Sequence, residues 1–233
     1  GFKPIGTQAE PFIGFLDGKG YKIVNLYINR PDMNYVGLIG YLGNGSFDGK
    51  VWNLTLENYC IVGKEYVGGL VGRNYYFSSI KNFSTSGFLW GNYMVGGLVG
   101  ENFLGIISNN HNSGSICGVS YVGGIVGTNS FGTLENSSGS GPVWGFYYVG
   151  GLAGASGDAT VNQCYSTASV WGSGYSVGGL IGEINNSSGD VSNSYSTGYV
   201  LGGASTGGLV GRNSGSLLNC YSISSTGGYN YIG

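Results

Sequence analysis

Charge is scarce in this chain. Asp, Glu, Lys and Arg make up 9% of 233 residues, the formal charge is −2, and the nine Lys and Arg are scattered. No basic face is left to hold a nucleic-acid backbone, so a nucleic-acid partner is excluded. Histidine occurs once, at His111, which rules out a metal site with two histidine ligands and argues against a histidine-based triad. Four Cys form no C-x-x-C pair. Helix-forming Ala-Glu-Lys-Leu patterning is nearly absent, and no window carries an apolar stripe of period 3.6. Nor does any run reach the ~18 apolar residues of a membrane-spanning helix. The chain starts at Gly1 without Met or a charged-then-apolar leader, and reads as a mature or excised piece.

What is abundant is glycine, 49 residues, and aromatics: 19 Tyr, 10 Phe and 4 Trp. The glycines have no G-X-Y period, and the aromatic mass exceeds what a disordered segment carries. Brief β-branched and aromatic runs between Gly, Asn and Ser clusters read as short strands and tight turns.

Those runs repeat. Val95-Gly96-Gly97-Leu98-Val99-Gly100 returns down the chain, and the apolar residue after the glycine pair falls at Leu38, Leu70, Leu98, Ile125, Leu152, Leu180 and Leu209. Such a period marks a solenoid, propeller or array. Each unit divides into three short strands in about 28 residues, too few for the roughly 40 of a propeller blade, so the fold class is all-β, a β-helix. An earlier coil is read by overlaying Phe12-Ile13-Gly14-Phe15-Leu16 on Leu38-Ile39-Gly40-Tyr41-Leu42, and Ile23-Val24-Asn25-Leu26 on Val51-Trp52-Asn53-Leu54. The expected organisation is one domain, 1–233, of about eight coils starting near 12, 38, 70, 98, 125, 152, 180 and 209.

Aligned on the second strand, Asn25, Asn53, Asn82, Asn109, Asn136, Gln163, Asn193 and Asn219 occupy one position. Coils stacked in register lie about 4.8 Å apart, so these amides are expected to form a structural hydrogen-bonded ladder. Three aliphatic columns fill the interior: the motif residues from Leu38 to Leu209; Ile61, Leu89, Ile116, Val143, Val170 and Val200; and the second-strand starters such as Ile80 and Ile107. The motif glycines are expected where a wall bends or coils approach without a Cβ.

The repeated Gly-Leu-Val-Gly resembles the GLUG motif of bacterial and archaeal surface proteins, and Phe12 to Ile23 is similar to the segment that often precedes such repeats. The resemblance covers essentially the whole chain. It implies a secreted, cell-surface repeat module, an architecture and a location without an activity. Val36-Gly37-Leu38 lacks one glycine, Leu152-Ala153-Gly154 carries a small residue, and Thr206 replaces Val.

No catalytic, cofactor-binding or metal-ligating residue is assigned, and no cofactor is implied. Asp17, Asp48, Asp158 and Asp190 lie in Gly-rich turns, Glu101 and Glu183 follow the motif, and together the acids make no patterned column of the kind glycoside hydrolysis or Ca²⁺ binding requires. Trp90, Trp144 and Trp171 share a column with Cys117 and face outward by strand alternation. With Tyr35, Tyr66, Tyr121 and Tyr148, which precede the motif with Met94 between, they are the candidate interface or glycan strip; the alternative is a Trp folded over a corner. The four Cys are expected as buried free thiols or, at most, in intermolecular bonds. Asn44, Asn185 and Asn186 are turn-located glycosylation candidates, whereas Asn53, Asn82 and Asn136 are expected bare because they belong to the ladder.

Neither end carries a cap: Phe2 to Gly6 matches a third strand and Tyr231-Ile232-Gly233 the start of a next coil. The expected function is therefore a non-enzymatic extracellular structural protein, a subunit or segment of a fibre, sheath or surface layer. Its partners would be itself, head to tail or laterally, or flanking domains of a longer chain. The alternative is an adhesin-type module binding glycans or surfaces, and a polysaccharide-cleaving enzyme comes third.

Overall fold

The computed structural model describes the backbone of residues 1–232 and the side chains of residues 1–228. Its extended segments pair in parallel with those one turn below and above, in register and with almost no slippage. Seven motif strands, Ile39–Leu42, Val71–Tyr75, Val99–Phe103, Val126–Ser130, Ala153–Gly157, Ile181–Ile184 and Val210–Asn213, form one sheet, and the other walls form a second, continuous one. The molecule is a β-solenoid. A typical coil runs Val99–Phe103, Ile106–Ser108, His111–Asn112 and Ser115–Gly123. A short fourth segment thus stands between the expected second and third strands, because the chain turns once more at Ser113-Gly114.

The corners are made by residues in the left-handed region. Asn25, Asn53, Asn82, Asn109, Asn136, Gln163, Asn193 and Asn219 all have φ between 47° and 61°. Asn tolerates that region better than other residues with a Cβ, since its short amide bonds locally. This conformational demand keeps the column amide-rich, and it corrects the ladder reading. Asn82, Asn109 and Asn136 are vertical neighbours, but they lie exposed. Amide bonds join only part of the column: Asn82 donates to Asn53 Oδ1 at 2.8 Å and Asn219 to Asn193 Oδ1 at 3.2 Å. Asn193 donates to Asn162 instead, at 2.9 Å.

The continuous amide ladder is elsewhere and buried. Asn74, Asn102 and Asn129, each four positions after the motif leucine or isoleucine, are fully inaccessible. Asn74 Nδ2 donates to Asn102 Oδ1 at 2.7 Å, and Asn102 Nδ2 to Asn129 Oδ1 at 2.8 Å. Their amides also donate to Ser78, Gly105 and Gly132 carbonyls, closing the turn that follows the motif strand. Buried polar groups cost little only when satisfied, and stacking identical amides satisfies them from Asn102 upward, leaving Asn74 Oδ1 at the first rung without a partner.

The aliphatic columns line a tube. Leu70, Leu98, Ile125, Leu152 and Leu180, then Ile61 to Val200, then Val51 to Val161, are fully buried. Two further columns, Val67-Val95-Val122-Val149-Val177 and Val71-Val99-Val126-Ala153-Ile181, complete the lining. Each large side chain contributes about 1.5–3 kcal/mol by leaving water. Opposite the motif the tube pinches, and there the second glycine is required. A Cβ on Gly97 would collide with Gly124 O and the Asn112 amide, and one on Gly124 with Gly151 O. Small or polar residues face it across the lumen: Asn112 Nδ2 donates to Gly124 O at 2.9 Å and Ser196 Oγ to Gly208 O at 2.7 Å.

The first coil departs from the overlay. Ile5 bridges Ile39 and Phe12 bridges Leu42, so Pro4-Ile5-Gly6 lies under the motif strand and not at a third strand. Phe15–Asp17 pairs with Lys50–Trp52, and Lys22–Val24 with Thr55–Glu57. Asn25 therefore meets Asn58, which donates to its Oδ1 at 2.5 Å, and Asp17, the register partner of Trp52, accepts the Asn53 amide at 3.0 Å. The overlay slipped because Asn58, itself left-handed, sits in a bulge that adds a second Asn corner to this coil. At the other end Ile232 pairs with Thr206, and Gly233 lies outside the described residues.

Three substitutions separate the amide columns. Asn102→Ala leaves Asn74 and Asn129 without their partner, so the unfolding free energy should fall by about 2–4 kcal/mol. Asn109→Gly, at the exposed corner, should change it by less than about 0.5 kcal/mol, and Asn109→Val should cost about 1–2 kcal/mol through backbone strain. Urea midpoints of the three variants check the ranking.

Candidate functional site

Strand alternation places the residue before each wall glycine outside. Trp90, Cys117, Trp144, Trp171 and Leu201 stack in register, and the following Gly145 and Gly172 point into the lumen against Val149 and Val177. Trp144 and Trp171 stack with centroids 5.1 Å apart and planes 8° apart. Trp144 is 38% exposed and Leu201 39%. With Gly145, Gly172, Ser173 and Gly202 they border an open groove of about 340 Å³. Cys117 separates Trp90 from the pair.

Tyr35, Tyr66, Met94, Tyr121 and Tyr148 form a second left-handed corner, with φ between 53° and 59°. That backbone folds their side chains over the outward column of the motif sheet, Tyr41-Arg73-Glu101-Thr128-Ala155-Glu183-Arg212. Tyr35 and Tyr66 stack at 4.7 Å, Tyr121 and Tyr148 at 4.5 Å, all half-buried. Beneath them Arg73 pairs with Glu101 at 2.5 Å, its guanidinium 4.9 Å from the Tyr75 ring and 5.8 Å from that of Tyr66. Arg212 pairs with Glu183 at 3.2 Å. Desolvation under this cover outweighs the arginines and holds both carboxyls above the usual range. The four tyrosines thus roof an ion-pair column, while the Trp wall stays open to solvent.

Residues 63–87 match the family model of the GLUG motif. The chain carries the GLUG motif. Halomucin of Haloquadratum walsbyi is 41% identical over 102 residues, which is 43% of this chain and 1% of halomucin. A candidate Gly-rich membrane protein of Evansella cellulosilytica is 44% identical over 78 residues, 32% of this chain and 9% of that protein. The chain thus spans a small fraction of either relative. The crystal structure of a candidate immunoglobulin A1 protease from Bacteroides ovatus superposes with a TM-score of 0.56 at 18% identity, over 92% of this chain and 61% of that one, a likeness of fold.

The GLUG repeats also position the remaining candidates. His111 stacks under Ser138, with Nδ1 2.8 Å from its Oγ and Nε2 3.2 Å from Ser140 Oγ. Both ring nitrogens are engaged by hydroxyls, and among the described residues no three His, Cys, Asp or Glu converge as a metal site. The four Cys are free, but only Cys164 is buried; Cys60 and Cys117 are half-buried at outward positions, and Cys220 is half-buried although it shares the column of Cys164 and Ser194. Burial pushes the Cys164 thiol up to about 12. Asn44, Asn185 and Asn186 are exposed, with Asn44 Oδ1 accepting from the Ser46 and Phe47 amides and Asn186 donating to Asp158. Asn82 and Asn136 are equally exposed, so column membership does not shield them.

Two aromatic groups lie outside the expected strip, although the alignment sets Tyr165, Tyr195 and Tyr221 in the column of His111. Tyr165, Tyr195 and Tyr221 stack face to face at 5.2 and 5.1 Å; their shared offset from Gln163, Asn193 and Asn219 is the signal that finds them. Tyr75, Phe103 and Phe131 cover the corner after the motif strand.

The raised carboxyls give a signed pH dependence. A carboxyl titrating higher in the fold than in the unfolded chain binds more protons when folded, so stability falls as pH rises from about 4.5 through the folded titration. Urea midpoints should decline over that window, and Glu183→Gln should flatten the decline. Asp17, held low chiefly by the Lys19 amide, and Asp48, held low by Lys50, act oppositely and only below 3.8.

Proposed function

We propose that this chain is a non-enzymatic rod segment of a protein displayed outside the cell, contributing to a fibre, sheath or surface layer. The observation that carries this reading is where the polar side chains are used. Asn74, Asn102, Asn129, Asn112 and Ser196 bond to the neighbouring rung or across the lumen, so they hold the rod together and leave little chemistry at its surface. The relatives described as halomucin and as a Gly-rich membrane protein support a surface location.

Growth would use the rung edges and the aromatic walls. Contacts of one rung edge on another are heterologous and extend without closing.

A second reading, a glycan-binding surface module, is favoured by the Trp144-Trp171-Leu201 groove, where indoles border a glycine floor.

Negative-stain microscopy of the purified chain should show filaments or lattices at raised concentration; dispersed monomers throughout would remove the assembly role. On a glycan array, saturable binding that Trp144→Ala lowers at least tenfold would establish the second reading, and equal signals for parent and variant would end it.

A further inference from the structure

The Tyr165-Tyr195-Tyr221 column is the most regular aromatic stack among the described residues. The three residues are register partners on consecutive rungs, with centroids 5.2 and 5.1 Å apart and both interplanar angles 6°. Tyr165 is 37% exposed and Tyr221 55%. Other stacked tyrosines are engaged: Tyr66 roofs Arg73, and Tyr148, stacked on Tyr121, donates its hydroxyl to Tyr175 at 3.2 Å.

We propose that Tyr165, Tyr195 and Tyr221 form an oxidative cross-linking site, at which a peroxidase-type one-electron oxidant with hydrogen peroxide joins neighbouring rungs by carbon–carbon bonds between tyrosine rings. Each of two stacked phenols loses one electron and one proton. The resulting radicals couple at an ortho carbon of each ring, and the displaced ring hydrogens return to the oxygens as the rings regain aromaticity. Hydrogen peroxide takes up the two electrons and two protons and leaves as two waters. The rungs already hold the rings parallel, and the soft ring torsion of tyrosine supplies the tilt that bonding needs. The link closes a loop of 30 residues between Tyr165 and Tyr195, or of 26 between Tyr195 and Tyr221. Like a disulfide, it removes freedom from the unfolded chain. The site requires no self-assembly, so it stands or falls apart from the structural role above.

The test treats the full chain at low concentration with peroxidase and hydrogen peroxide. The expected product is a monomer lighter by two hydrogens, with dityrosine fluorescence. Tandem mass spectrometry should map the link to Tyr165–Tyr195 or Tyr195–Tyr221, and the unfolding temperature should rise by about 5–10 °C. Tyr195→Phe, which keeps the stacked ring, should abolish both links with an unchanged circular dichroism spectrum, and Tyr165→Phe should leave only Tyr195–Tyr221. Tyr21 and Tyr27, 74% and 55% exposed, serve as internal comparators. Links formed mainly at those two residues or between molecules, an absence of dityrosine, or full cross-linking in Tyr195→Phe would overturn the proposal.

Discussion

Parallel stacking of rungs about 4.8 Å apart is the constraint on which everything else in this molecule depends. Once coils pair in register, each side chain has its counterparts one turn below and above as its nearest neighbours. A position is then chosen for how it packs on its own kind. Aliphatic columns satisfy this by filling the lumen, the Asn74-Asn102-Asn129 column by passing an amide hydrogen bond from rung to rung, and the tyrosines by stacking rings. Charges satisfy it only by alternating in sign, as Arg73 with Glu101 and Glu183 with Arg212 do.

The second constraint is that a coil of fewer than thirty residues must turn sharply at several corners. Left-handed residues make those turns, and their columns differ in composition because their surroundings differ. The exposed corner after the second strand takes Asn, whose amide bonds locally. The corner before the motif takes Tyr, whose ring can reach back over the ion pairs. Glycine is kept for another purpose at the pinch, where Gly97 and Gly124 face carbonyl groups and side chains that leave no room for a Cβ. The same geometry explains the outward indoles: each is followed by a glycine that must face the lumen.

Much of this was legible in the chain itself. The period, the all-β class, the aliphatic columns from Leu70 to Leu180 and the outward Trp144 and Trp171 follow from spacing, since a repeat in register converts sequence distance directly into vertical distance. The first coil was misread because Ile23-Val24-Asn25 matches two places in the next coil equally well, and the bulge at Asn58 decides between them. The column of Asn82, Asn109 and Asn136 was visible, but its cause was not: an amide kept for its φ and an amide kept for its hydrogen bonds look alike in one dimension.

The amino-acid order by itself determined that this protein stacks identical rungs and which residues share a column, because periodicity is a property of the chain. The tertiary structure alone decided which columns are inside and which left-handed corners turn the wall. It also decided that Tyr66 covers Arg73, that Asn102 is buried while Asn109 faces water, and that Tyr165, Tyr195 and Tyr221 lie open on one face. Those outcomes depend on the direction each side chain takes from its backbone, and at a left-handed corner that direction is set by the turn of the coil and not by the strand alternation readable from the letters.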